Sequence, residues 1–305
     1  MKAKSSTTKC LPSSHLPLPV EILDYVFQYF ARDESLPFLR VNRAFYDISV
    51  RVLYRHIDGL HLHQSVACLL TLEKGPKPAQ FVRSLEIGWE EATPTLNLYQ
   101  LLHRVLQKLS GLNSLYIELP RLHSPTWILS NCTFSLHSFA TSLPCNQELA
   151  GFLDLQPSIV ELSLRGIHDS HSLPFLQTIS SPPEDHCEEP IFPLLPTSLP
   201  KLTQFRSIHG RPSTITTVIS GRPIKMVSIP LFPSLATETL SALSTSSSSI
   251  RRLSIMSFDP AAPEFLLSEV VKRFPNVLIL FKGYIKLIIL CRSSGDFCQS
   301  SFLDY

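Results

Sequence analysis

One spacing governs most of this chain: an apolar residue, two variable positions, an apolar residue, one variable position, an apolar residue. It recurs at Val82-x-x-Leu85-x-Ile87, Leu112-x-x-Leu115-x-Ile117, Ile159-x-x-Leu162-x-Leu164, Ile224-x-x-Val227-x-Ile229 and Ile250-x-x-Leu253-x-Ile255, with weaker copies at Leu136-x-x-Phe139, Leu202-x-x-Phe205 and Val277-x-x-Leu280. The alternation at the end of each copy is that of a short, half-buried strand. The central apolar positions fall at 85, 115, 139, 162, 205, 227, 253 and 280, giving steps of 30, 24, 23, 43, 22, 26 and 27. Helical periodicity fills some of the gaps, over 96–109 with Leu98, Leu101, Leu102, Val105 and Leu109, and over 263–274 with Leu266, Leu267, Val270, Val271 and Phe274. A unit of this size leaves an apolar face uncovered, so neighbours must stack, and the strands then line up as a parallel sheet.

Six of the seven steps lie in or beside the interval of about 20–29 residues typical of leucine-rich repeats, and the chain resembles an irregular member of that class. The resemblance implies an α/β fold, a solenoid with its strands along a curved inner surface. The Asn or Cys that usually follows the strand in such repeats is missing from every copy. The step of 43 covers 180–200, where six prolines in twenty-one residues forbid an ordinary repeat and suggest an inserted loop. After 285 the sequence begins as strand but supplies no polar capping repeat, so 286–305 is an atypical tail.

The N-terminal part obeys a different period. Pro19 suits the first position of a helix, and Glu21 suits the positive end of its dipole. Ile22, Leu23, Val26, Phe27 and Phe30 then form one wide stripe of a helix running to about Phe30. After a polar turn, Ser35 is a candidate cap for a short second helix that tolerates Pro37 early, with Leu36, Leu39 and Val41 apolar. A third helix over 42–54 carries Phe45, Ile48 and Val52 on one face, and Arg43, Asp47 and Arg51 largely on the other. The clustered Arg40, Arg43, Arg51 and Arg55 read as a solvated helix face. Three helices this small bury only a modest fraction of their surface, so part of the stripe needs a partner or the rest of the chain.

The run Leu18-Pro19-Val20-Glu21-Ile22-Leu23, with Val26-Phe27 one turn on and Val41-Asn42-Arg43-Ala44-Phe45-Tyr46 and Leu53-Tyr54-Arg55-His56-Ile57 downstream, resembles the F-box motif, particularly as it occurs in fungal proteins. That resemblance implies docking onto the Skp-type adaptor of a cullin-RING ubiquitin ligase, with Leu18, Pro19, Ile22, Leu23 and Phe27 as anchors. The expected organisation is a disordered tail over 1–14, an F-box over 15–57, a leucine-rich-repeat-like region over 58–285 and the atypical tail.

Composition narrows the function. At 44% hydrophobic and 17% charged the chain can form a core, and a net charge of +2 leaves no overall footprint for nucleic acid or an anionic membrane. Seven scattered cysteines without a C-x-x-C pair read as free thiols in a reducing compartment. The N-terminus lacks the apolar run of a signal peptide, and the apolar stretch 277–291 is broken by Lys282 and Lys286 and falls short of a membrane span. The expected location is therefore cytoplasm or nucleus, with the sequon at Asn131 unused.

Only ten glycines are present, with no G-x-S-x-G, G-x-G-x-x-G or G-x-x-x-x-G-K. His61-Leu62-His63, His168-Asp169-Ser170-His171 and Glu184-Asp185-His186-Cys187-Glu188-Glu189 hold ligand-type side chains without zinc-site spacing. No catalytic residue, cofactor or metal is expected. Target contacts are expected on exposed strand positions, with Glu86, Tyr116, Arg165, Arg206 and Arg252 as candidates. The leading reading is a non-enzymatic substrate adaptor of a ubiquitin ligase. The alternative is a repeat scaffold whose helices only cap the solenoid.

Overall fold

A computed structural model describes residues 18–30, 32–89, 93–120, 125–166, 192–208, 210–231, 235–257, 263–275, 277–283, 287–293 and 296–303. Its contacts divide the chain into two compact units, Met1–Arg55 and His56–Tyr305. The tail expected over 1–14 lies outside the described residues, as do the histidine and acidic clusters at 168–171 and 184–189.

The first unit contains α1 (Val20–Phe27), α2 (Arg32–Ser35) leading into a 3-10 turn (Leu36–Arg40), and α3 (Arg43–Arg55). Pro19 sits one position earlier than expected: it precedes the helix in extended backbone, and its carbonyl accepts from the amides of Ile22 and Leu23 at 3.1 and 3.2 Å. Ser35 ends α2 and stands at the N-cap position of the 3-10 turn, with Pro37 early in it as expected, but makes no side-chain capping bond there. Asn42 precedes α3, and its side-chain oxygen accepts the Phe45 amide at 2.9 Å, a helix cap that satisfies a donor otherwise without an intrahelical partner. Leu23, Phe27 and Ile48 form the core, with Phe38, Phe45 and Val52 packed against it. The Phe27 ring lies 4.9 Å from that of Phe38 and 5.4 Å from that of Phe45, tilted or edge-on as aromatic quadrupoles prefer.

The second unit is built on a sheet whose strands follow one another in sequence order. Strands β1 (His56–Ile57), β2 (Ser84–Gly88), β3 (Ser114–Glu118), β4 (Ser138–Thr141), β5 (Glu161–Leu164), β6 (Gln204–Ser207), β7 (Met226–Pro230), β8 (Arg252–Ser257) and β9 (Leu278–Gly283) all pair in parallel. Helices α4 (Leu62–Lys74) and α5 (Pro76–Phe81) connect β1 to β2, and α6 (Leu96–Lys108), α7 (Gln147–Asp154), α8 (Pro212–Ile219), α9 (Ala236–Leu243) and α10 (Pro263–Arg273) lie in later connections. Parallel neighbours require such crossovers, which accounts for steps above twenty residues.

The register shows why the recurring spacing dominates the sequence. Leu85, Leu115, Phe139, Leu162, Phe205, Val227 and Leu253 are consecutive partners in one row, and all are buried. The row starts earlier than expected, at Ile57, which pairs with Leu85. Ile57 therefore belongs to the sheet, and the boundary falls after Arg55, not after residue 57. At the other end Leu253 pairs with Ile279, not with Leu280. The copy at Val277 is one residue shorter than the rest, and a shift of one residue exchanges the two faces of a strand. Beyond it, β10 (Leu287–Ser293) and β11 (Asp296–Leu303) close the sequence as an antiparallel hairpin on β9, so the region expected as a tail extends the sheet.

The end of the long step is not a surface loop. Residues 167–191 lie outside the described part, but Phe192, Leu194 and Leu199 are buried, so 192–200 is an irregular core segment rather than a surface excursion. Its prolines exclude a helix, and side chains supply the missing bonds: Ser198 donates to Asp154, and the Leu195 amide donates to Asp154 Oδ1 at 3.3 Å.

Similar polar staples tie neighbouring strand connections together. Arg83 Nη1 donates to the Gly111 carbonyl at 3.1 Å. Gln156 accepts from the Leu136 amide at 2.9 Å and donates to the Phe134 carbonyl at 3.1 Å. Ser142 Oγ accepts from the Leu119 amide at 2.8 Å and returns a bond to its carbonyl at 3.2 Å. Each joins one coil to the next, satisfying backbone groups at turns that a regular ladder leaves open. At Gly166 the coils approach so closely that a Cβ would stand 2.3 Å from the Leu143 carbonyl oxygen, so only glycine fits.

Candidate interaction surfaces

Helix α1 carries more apolar surface than its own core consumes. At about 100° per residue, Leu23 and Phe27 occupy one side of α1, and Ile22, Tyr25 and Val26 another, with Leu18 just before the helix and Tyr29 and Phe30 just after it. The first side faces inward: Leu23 is 7% and Phe27 2% exposed. The second faces out, with Leu18 at 49% and Ile22 at 48% exposed, and Pro19, Tyr25, Val26 and Tyr29 exposed with them. Of the five expected anchors, Leu18, Pro19 and Ile22 are thus available to a partner. Leu23 and Phe27 are not, because the aromatic cluster of Phe38 and Phe45 and the side chain of Ile48 already cover them. The exposed apolar set also includes Leu36, Val41 and Tyr46. On the polar side of α1, Asp24 pairs with Arg51 at 3.2 Å, so one member of the arginine cluster is engaged.

The second surface is the face of the sheet opposite the buried rows. Alternation turns one residue per strand outward in each of two further rows. One contains Glu86, Tyr116, Ala140, Ser163, Arg206, Ser228 and Ser254, and the other Ser84, Ser114, Ser138, Glu161, Gln204, Met226 and Arg252. Glu86, Tyr116, Arg206 and Arg252 therefore stand on this face, as expected from the spacing. Arg165 lies just past β5, and it is engaged. Its guanidinium bonds Glu118 at 2.7 Å, contacts the Tyr116 hydroxyl and lies 5.5 Å from the Tyr116 ring centroid. Tyr116 in turn donates to Glu118, and burial, followed by that bond, pushes its phenol up to about 12. These residues form a structural knot on β3 and β5 instead of a row of free contacts.

Over β4 to β8 the face hollows into a groove of 390 Å³, lined by the small side chains of Ser138, Ala140, Ser163 and Ser228 together with Glu161, Arg206 and Arg252. Compared with known protein families, the chain matches no family model, and none of the curated proteins is significantly similar to it.

The groove was only partly visible in the sequence. Its arginines stand out, but the small residues are informative only once the register aligns them, and Met226, Ser228 and Ser163 carry no signal singly. Among the described residues, no group of three or more His, Cys, Asp or Glu side chains is arranged to hold a metal ion. Cys132 and Cys145 are free thiols, and burial pushes the Cys132 thiol up to about 12 and that of Cys145 up as well. His61 belongs to the start of α4, where its amide donates to Gln64 Oε1 at 3.1 Å. Among the described residues no helix is long and apolar enough to cross a membrane.

Proposed function

We propose that this protein is a non-enzymatic substrate adaptor of a Skp-cullin-F-box ubiquitin ligase, in which the N-terminal helices are an F-box and the sheet unit an irregular leucine-rich-repeat solenoid. The observation that carries this reading is the second apolar set of α1. A helix needs one stripe of roughly 100° to hold a small core, and here Ile22, Tyr25 and Val26, with Leu18 and Tyr29 at the two ends of the helix, add another apolar set that stays exposed. Burying such side chains on a partner is worth about 1.5–3 kcal/mol each before the costs of association. The order and spacing of the F-box-like residues make the Skp-type adaptor the natural partner, with Leu18, Pro19 and Ile22 as its contacts and Leu23 and Phe27 shaping the helix from behind.

The strand face supplies the second contact area, and its sequential parallel strands support the repeat reading. Transfer of ubiquitin would be done by the other subunits.

Copurification of the full chain with a Skp-type adaptor tests the proposal. A Leu18→Asp, Ile22→Asp double variant should keep the circular dichroism and thermal melt of the parent and lose the adaptor. Adaptor binding that survives in the folded double variant, or never occurs in the parent, overturns it.

A further inference from the structure

Among the described residues β11 is the last strand of the sheet, hydrogen-bonded to β10 alone. Over 287–303 the only charged residues are Arg292 and Asp296, and no proline interrupts the run. A strand held by a single ladder opens before the strands inside the sheet do.

Two of the seven cysteines belong to this hairpin, and the register sets them opposite each other: Cys291 on β10 is the direct partner of Cys298 on β11. The other cysteines among the described residues, Cys68 on α4 and Cys132 and Cys145 in connections, have no such counterpart in the strand pairing. The pair also has a definite face. Leu290 pairs with Ile279, and Ile279 with the buried Leu253, so these three continue the inward row. Alternation puts Cys291 and Cys298 on the opposite face, to which β9 contributes Leu278, an exposed residue.

Strand geometry suits a bond between them. Directly opposed residues of an antiparallel pair have Cα atoms about 4.5–5.5 Å apart, inside the span of about 4.4–6.8 Å that a disulfide bridges. Their Cβ atoms, about 4.5–5.5 Å apart, must approach a little to reach the separation of about 3.5–4.5 Å that the bond prefers. A cross-link closed under such tension is readily reduced again.

We propose that Cys291 and Cys298 are a redox-active pair, a dithiol in a reducing environment that a glutathione-type disulfide converts into a cross-strand disulfide joining β11 to β10. One cysteine, as its thiolate, attacks oxidised glutathione and releases one glutathione thiolate. The other, having lost its proton, attacks the protein sulfur of the mixed disulfide and releases the second. Two protein thiols are oxidised, one glutathione disulfide is reduced to two thiols, and the protons pass to the departing sulfurs. The bond fixes the end of the sheet and depends on neither an adaptor nor a target.

Trypsin cuts after Lys286 and again between the two cysteines, after Arg292. The purified full chain, equilibrated with oxidised and reduced glutathione, alkylated and digested without reductant, should therefore yield 287–292 and 293–305 joined as one species that dithiothreitol separates. The same equilibration in urea measures how far the fold favours the bond: the ratio of disulfide to dithiol at one glutathione poise should be at least about tenfold higher in the native protein. By linkage, oxidation should slow amide exchange over 287–303 by a similar factor and leave β7 unchanged. Cys291→Ser or Cys298→Ser should abolish both effects, and Cys145→Ser neither. A native pair that stays reduced in oxidised glutathione, equal ratios in native protein and urea, or a bond from either residue to a different cysteine overturns the proposal and leaves the adaptor reading as it stands.

Discussion

Arg222 Nε donates to the carbonyl of Ser198, one coil earlier in the sheet unit, at 2.7 Å. The same side chain, 2% exposed, bonds the carbonyls of Leu195 at 2.8 Å, Thr217 at 2.6 Å and Val218 at 2.9 Å. Burial lowers its pKa from the usual arginine value while Asp154 opposes that shift, and the guanidinium takes the place of a turn ladder in the one segment whose prolines forbid it.

Replacing Arg222 with methionine removes those donors and leaves several buried carbonyls unsatisfied. Stability should fall by roughly 2–4 kcal/mol, judged from the cost of orphaned buried polar groups. Lysine should recover only part of the loss, because three donors on one nitrogen cannot span the same carbonyls. Urea denaturation followed by far-ultraviolet circular dichroism measures both, and equal stability of all three proteins would contradict the assignment.

Phe27 and Ile22 belong to different faces of α1 and should part company on substitution. Phe27→Ala opens a cavity among Phe38, Phe45 and Ile48 and should cost about 3–5 kcal/mol of the first unit's stability. Ile22→Ala should stay within about 0.5 kcal/mol in stability, as surface substitutions do. Thermal melts of the two variants should rank them in that order.

Gly166→Ala forces a methyl group onto the Leu143 carbonyl, with the Ser142 carbonyl close behind. Neither backbone atom can rotate away, so the coils must separate, and a loss of about 1–3 kcal/mol is expected from overpacking. Amide hydrogen exchange should show the loosening at 141–143 and 164–166 and leave β7 unchanged.

The Tyr116 phenol, held at about 12 by burial and by its bond to Glu118, ionises later in the folded protein than in the unfolded chain, where its value is 10.0. Below the unfolded value both states are protonated and the contribution to stability is whole. As pH rises through the folded value it is lost, because only the unfolded state gains from releasing the proton. Between pH 10 and 12 the parent should therefore lose stability more steeply than Tyr116→Phe. Absorbance titration should place the Tyr116 transition lower in Glu118→Gln than in the parent.

Cys145 is buried and its thiol is pushed up, so at neutral pH it holds almost no thiolate. Iodoacetamide should leave it unmodified in the native protein and alkylate it after unfolding. Peptide mass mapping would reveal native modification if the thiol were accessible.

Much of the sheet was legible because its period is simple. Leu85, Leu115, Phe139, Leu162, Phe205, Val227 and Leu253 share one spacing and occupy one row, so apolar repetition alone indicated the strands. The last copy misled because Val277 is followed by one residue fewer, which composition does not register but hydrogen bonding does. The burial of the first helix was not legible. Leu18, Ile22, Leu23 and Phe27 look alike in sequence, and an apolar stripe does not disclose which part its own fold covers.

What the sequence determined by itself is the alternation of apolar positions, and with it the strands, the helices between them and an N-terminal segment of helical period, because those follow from local geometry and burial. Only the tertiary structure decided that Leu23 and Phe27 turn inward while Leu18 and Ile22 remain outside, that Arg165 is engaged by Glu118 and Tyr116, and that Ser163 and Ser228 stand on the strands to either side of Arg206. Those are relations between residues distant along the chain, set by register and packing, and no local pattern of side chains specifies them.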